Sequence, residues 1–237
     1  MMQRENMTLS SDMQRHIANW EQVHSTRPWG LYPSEDLIRF VTRRYRDAAD
    51  RSAIRIIDIG CGPGANLTYL GREGFMLAGI DASTTALKNA KERFRAAGLE
   101  FDDRSLDLCQ GNFAELPWPD ESFDVAIDME SIYANPMEII RACVGEAHRV
   151  LKPGAVFFGK AFGTETTGYG TGEIYEPNTS RNPVGGPCGG FGFAHFFTRE
   201  EIEDVFSGFS ELSIDWLHRT DRGESISIFE WIVTAVK

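Results

Sequence analysis

Apolar side chains along this chain follow two rhythms that alternate. Runs of strand length, most of them almost wholly apolar, occupy 54–59, 75–80, 105–109, 123–127 and 155–159, and apolar residues between them recur at three- and four-residue spacing. Such runs predict strands buried on both faces, and their alternation with amphipathic helices predicts a parallel sheet covered on each side. The clearest helix follows Asp81: Ser83 or Thr84 caps it, Leu87, Ala90, Phe94 and Ala97 share a face, and Gly98 stops it. Another runs from Pro136 to about Leu151 on Met137, Ile140, Val144 and Ala147.

The pattern changes toward both ends. Residues 1–15 are polar and aperiodic and read as a loose terminus. From His16 to Arg46 aromatic and aliphatic residues return around Pro28 and Pro33, predicting two short helices about a turn, the second capped by Ser34 with Glu35 and Asp36 in its first turn. Between Lys160 and Phe197 the period vanishes and glycine and proline crowd in, so this segment reads as a lid outside the sheet. A capping box, Thr198 to Glu201, then opens a helix that stops at Gly208, and strand-like runs at 212–217 and 226–236 follow.

Composition narrows the partners more than the fold. Across 237 residues, 35 acidic against 24 basic side chains give a formal charge of -11, which repels polyphosphate and argues against nucleic acid as a partner. Cys61, Cys109, Cys143 and Cys188 are scattered without CxxC or His/Cys pairing, so no disulfide framework or zinc site is indicated, and a reducing cytoplasm is the expected location. The N-terminal residues do not read as a signal peptide, and no apolar run approaches the roughly 18 residues of a membrane span.

The chemistry concentrates in Asp58-Ile59-Gly60-Cys61-Gly62-Pro63-Gly64, an acid at a strand end followed by alternate glycines. Glycines there let a ligand approach the backbone. The spacing is not the dinucleotide fingerprint Gly-x-Gly-x-x-Gly, because Ala65 stands three places after Gly62. An acid in such a loop suits an ammonium group better than a pyrophosphate.

With these residues, and with Asp81 after Ala78-Gly79-Ile80, Gly111-Asn112-Phe113, Leu116 to Asp124, Asp128-Met129-Glu130 and Glu146 to Gly154, the chain resembles the class I S-adenosylmethionine-dependent methyltransferases over roughly 50–237. The resemblance implies an α/β, Rossmann-like doubly wound fold with a seven-stranded, mostly parallel sheet, S-adenosylmethionine as cofactor, and methyl transfer to an oxygen or nitrogen of a small metabolite. The expected single domain divides into a tail and helical cap (1–50), a cofactor-binding half (51–159), a lid insertion (160–197) and a C-terminal helix with strands (198–237). Asp58, Gly60, Cys61, Gly62 and Gly64 are implied to hold the methionine part, and Asp81 with Ala82 the ribose. Asn112 and Phe113 stand where the family usually has Gly-Asp beside adenine, and Asp128 ends the next strand.

Glu130, Asp128 and His195, in that order, are the candidate bases, needed only if the nucleophile carries a proton. His195 between Ala194 and Phe196 reads more readily as packing than as catalysis. Trp20, Trp29 and Tyr32 in the cap, Tyr133, and Tyr169 and Arg181 in the lid are candidate substrate contacts; Lys160 and Tyr175 share the lid's mixture of cations and tyrosines, which suits an acidic substrate. No metal is expected, and a monomer or homodimer remains open. A methyltransferase acting on protein or RNA, and a nicotinamide oxidoreductase, are the rival readings; the acidic charge opposes the first on RNA and the glycine spacing opposes the second.

Overall fold

The computed structural model describes residues 11–102 and 105–237. The predicted apolar runs form five parallel strands: β1 (Arg55–Ile59), β2 (Met76–Asp81), β3 (Leu106–Gln110), β4 (Phe123–Met129) and β5 (Leu151–Phe162). Two further strands of the same sheet, β9 (Glu211–Asp221) and β10 (Ile226–Val236), pair antiparallel, giving the order β3-β2-β1-β4-β5-β10-β9. The sheet is the seven-stranded, mostly parallel one expected. Strand order reverses between β1 and β4, so their carboxyl ends diverge and leave a crevice, the usual ligand position in such sheets.

Strand alternation places the core in two layers. Ile57, Ile59, Ala126 and Phe157 meet Ile140, Val144 and Ala147 of α5 (Met137–Val150), whereas Ile56, Leu77, Val125, Ile127 and Phe158 face the other side. There they meet Leu37 and Val41 of α2 (Glu35–Tyr45), Leu67 and Leu70 of α3 (Ala65–Arg72), and Leu87 and Phe94 of α4 (Thr84–Ala96). Phe40 of α2 stacks on Phe158 at 4.3 Å between ring centroids. Arg149 at the end of α5 donates to the carbonyls of Leu116 and Trp118 and pairs with Asp120 and Glu146, so the family-like stretches at 116–124 and 146–154 turn out to be one structural clasp.

Three expectations are corrected. Helix α1 spans Ser11–Thr26, so the helical cap begins inside the segment read as loose; the calls on residues 1–10 lie outside the described residues. Lys160 and Phe162 belong to β5, so the lid boundary falls inside a strand. The Gly-rich segment is ordered, carrying a second sheet of β6 (Glu173–Glu176), β7 (Thr179–Arg181) and β8 (Phe193–His195). Three- and four-residue strands are too short to imprint a period on the sequence. The capping box forms as predicted, with Thr198 and Glu201 bonded reciprocally at the start of α6 (Arg199–Val205).

Thr166 fastens this insertion to the main sheet. Its buried hydroxyl donates to the Phe229 carbonyl at 2.8 Å and accepts from the Phe229 N–H at 3.0 Å. Thr166→Val keeps the shape and strands the Phe229 N–H, while the Phe229 carbonyl keeps the Gly163 N–H at 2.9 Å, so it should lower unfolding free energy by about 1–3 kcal/mol, read as a shifted urea midpoint with an unchanged slope.

Candidate functional site

The glycine loop leaves β1 with left-handed backbone at Gly60, Gly62 and Gly64 (φ +70°, +49° and +79°). A Cβ on Gly60 would run into Ser131, and one on Gly64 would lie 2.8 Å from the Ala90 Cβ, so the loop sits directly against β4's exit turn and α4. Across the crevice Asp81 closes the loop. Its carboxylate accepts the Gly62 N–H at 2.9 Å and the Ser83 N–H at 2.8 Å, while the Ser83 hydroxyl accepts from Ala86 N–H and so caps α4.

Over this floor lies one face of α1. Met13, His16, Ile17, Trp20 and His24, spaced three and four apart, roof a cavity of about 240 Å³ whose floor includes Gly60, Cys61, Gly62, Asp81, Ala82, Asn112, Phe113 and Glu130. Glu21 fastens the roof: its carboxylate accepts from the Ser83 and Thr85 hydroxyls at the start of α4. Trp20 stacks on Phe191 of the Gly-rich segment, centroids 5.8 Å apart and planes 8° apart, so cap and insertion touch above the cavity.

Residues 57–159 match the model of a methyltransferase domain family. The matched stretch, from β1 into β5, is similar to methyltransferase domains and contains the glycine loop and Asp81. A solved SAM-dependent methyltransferase from Methanosarcina mazei is 26% identical with a TM-score of 0.64, covering 77% of this chain and 92% of that one. A fatty-acid O-methyltransferase of Mycolicibacterium smegmatis is 30% identical over 54% of this chain and 45% of its own length. The 24-methylenesterol C-methyltransferase 2 of Oryza sativa is 35% identical over 44% of this chain and 27% of its own. The chain thus spans less than half of either curated relative.

Within this methyltransferase fold the sequence candidates separate into two groups. Glu130, Asp81, Ala82, Gly60, Cys61, Gly62, Asn112, Phe113, Trp20, Trp29 and Tyr32 line the cavity, Tyr32 only at its mouth, being 81% exposed. Asn112 spends its side-chain oxygen on the Ala114 N–H at 3.0 Å, a local turn. Gly64 lies behind the loop and Asp58 beneath it, wholly buried, with one oxygen 3.4 Å from the Asn66 amide and the other without a partner. Asp128 and Tyr133 line a separate small void.

His195 stands off the cavity as well. Its wholly buried ring sits on Phe197, with Nδ1 2.8 Å from the Thr179 hydroxyl, the packing environment that its aromatic neighbours in sequence allowed. Tyr169 bonds Asn178, and Arg181 pairs with Asp12 and Glu173, so neither reaches the cavity. Lys160, expected among the lid cations that suit an acidic substrate, is instead buried among Asp36 at 3.1 Å, Glu230 at 3.1 Å and Glu130 at 3.5 Å.

The sequence reading overlooked His16 and His24. Their four-residue spacing from Trp20 within the predicted helix was the available signal, but nothing local shows which face of α1 turns to the glycine loop. Burial pushes the His16 imidazole down to about 4 and His24 below its ordinary value, although Asp81 and Glu21 pull His24 up, so both rings are neutral near pH 7. Burial raises Asp58 well above the carboxylate range and raises Asp81 too, against its two backbone N–H donors.

Asp128 accepts the Ser131 and Ile132 N–H groups, both at 3.0 Å, yet burial pushes its carboxyl up to about 7. A carboxyl whose folded value lies above its unfolded one binds more protons when folded, so its contribution falls as pH rises from about 4 to 7. Asp128→Asn, which retains an acceptor oxygen for both N–H groups, should therefore flatten the decline in urea midpoint across that window while changing little at pH 4.

Proposed function

We propose that the chain transfers the methyl group of S-adenosylmethionine to an oxygen or nitrogen of a small molecule held between α1 and the glycine loop. The observation that carries this reading is the junction of Gly62 and Asp81, which brings the two halves of the nucleoside-and-amino-acid site to one cavity floor. The residues present fit that cofactor. The unpartnered Asp58 oxygen and the side-chain-free loop suit an ammonium group and its backbone, and Asp81 keeps lone pairs for ribose hydroxyls. Asn112 and Phe113 line the same floor, and in this reading they are the residues that adenine would meet.

When bound, the sulfonium supplies an activated methyl carbon, so the protein's work is alignment and exclusion of water. Trp20, Trp29 and His24 form a continuous aromatic roof, with His24 and Trp29 centroids 5.1 Å apart. Glu130 is the one sequence-nominated base that lines the cavity, held in left-handed backbone at φ +64° at the end of β4. At about 240 Å³ the cavity is below the roughly 300–1,000 Å³ usual for ligand sites, so this reading requires α1 to shift from the loop when cofactor and acceptor enter. No described helix is long and apolar enough to cross a membrane, and the acceptor in this reading arrives from water.

Calorimetry is the direct check. S-adenosylhomocysteine should bind in the micromolar range (about -8 kcal/mol) and nicotinamide dinucleotides should not. Asp81→Ala should weaken binding by about 1.5 to 3 kcal/mol, since it removes a charged acceptor and frees the glycine loop. A preference for the dinucleotide would overturn the proposal.

A further inference from the structure

The charge lining the cavity is one-sided. Asp81 and Glu130 face it, and among the described residues no lysine or arginine lines it. The two histidines of the roof add no positive charge, since burial keeps both neutral, and the His16 Nε2 accepts the Trp20 indole N–H at 3.1 Å. The basic residues nearby are engaged elsewhere. Arg93 donates to the Gly30 carbonyl at 2.7 Å, and Arg181 faces a neighbouring cavity, where it meets Asp12.

Behind Glu130 the imbalance deepens. Asp36 of α2, Glu130 of β4's exit and Glu230 of β10 surround the single ammonium of Lys160, whose side chain is 5% exposed, so three carboxylates share one cation. A buried cluster short of positive charge must hold a proton or gain a cation. Glu130 is its open member: its side chain is 33% exposed, against 3% for Glu230. Trp20, Trp29, Tyr32 and Phe113 complete the lining with aromatic faces that attract cations and offer nothing to a carboxylate.

Building on the methyl-transfer reading, we infer that the acceptor is an amine, taken up as its ammonium ion against Glu130 and methylated on nitrogen. The ammonium passes one proton to the Glu130 carboxylate. The freed lone pair on nitrogen then forms the new N–C bond as the C–S bond of the cofactor breaks, with that electron pair staying on sulfur. The product is a methylammonium ion, and Glu130 returns its proton to water. Burial and the neighbouring Glu230 push Glu130 up to about 8, a value suited to exchanging a proton with an amine. A carboxylate acceptor, by contrast, would bring a further negative charge beside Asp81 and Glu130, with no lysine or arginine among the described lining residues to receive it.

The test incubates the full chain with methyl-labelled S-adenosylmethionine and a small-molecule extract, then sorts labelled products by chemistry. Label that stays on a cation exchanger at neutral pH and survives alkali marks a methylamine and supports the inference. Label in a neutral, alkali-labile ester, in a neutral ether or in an anion overturns it. Glu130→Gln should cut kcat/KM for the labelled acceptor at least ten-fold, with the affinity for S-adenosylhomocysteine within two-fold of the parent. Full activity in that variant would also overturn the inference. Failure of the parent chain to bind S-adenosylhomocysteine, or to transfer label to any small molecule, would instead refute the methyl-transfer reading.

Discussion

The hydrogen bond from the Gly62 N–H to the Asp81 carboxylate, 2.9 Å long and buried, is the contact on which the site depends. It joins the loop after β1 to the end of β2, two segments that the parallel pairing of β1 and β2 already brings side by side. The same carboxylate accepts the Ser83 N–H, and Ser83 in turn caps α4 and donates to Glu21 of the cap. Loop, helix and roof are therefore oriented through one side chain. A buried carboxylate with two backbone donors is costly to move, because shifting it leaves N–H groups without partners.

Around this anchor the protein manages charge rather than avoiding it. Asp58, Asp81, Asp128 and Glu130 all lie at the carboxyl ends of β1, β2 and β4, and burial raises every one of them. Such placement is unfavourable for stability taken alone. It suits a site that receives positive charge, whether on a sulfonium, on an amino acid ammonium or on an acceptor, because each arrival relieves repulsion already present.

The relatives set a boundary on what the fold implies. Among curated proteins of similar sequence, one is named for methylation on oxygen and another for methylation on carbon. Likeness to both is thus compatible with more than one acceptor chemistry, because one scaffold hosts each.

The sequence alone determined the strands of the parallel sheet, the caps at Ser34 and Thr198, a third cap narrowed to Ser83 or Thr84, and the loop with Asp58 and Asp81. Each is written in neighbouring residues, through apolar runs, capping hydroxyls or glycines with an acid beside them. Tertiary structure decided the rest. Lys160 became buried only because α2, β4's exit and β10, distant in sequence, each supply it with a carboxylate. His195 and Arg181 were turned away from the cavity by partners at Thr179 and Asp12, the latter 169 residues away. His16 and His24 entered the site because α1 folds back over the glycine loop, held by Glu21 on α4, and nothing local to α1 specifies that docking. Local sequence encodes local hydrogen bonds and burial periods; which distant side chains share one cavity depends on packing of the whole chain.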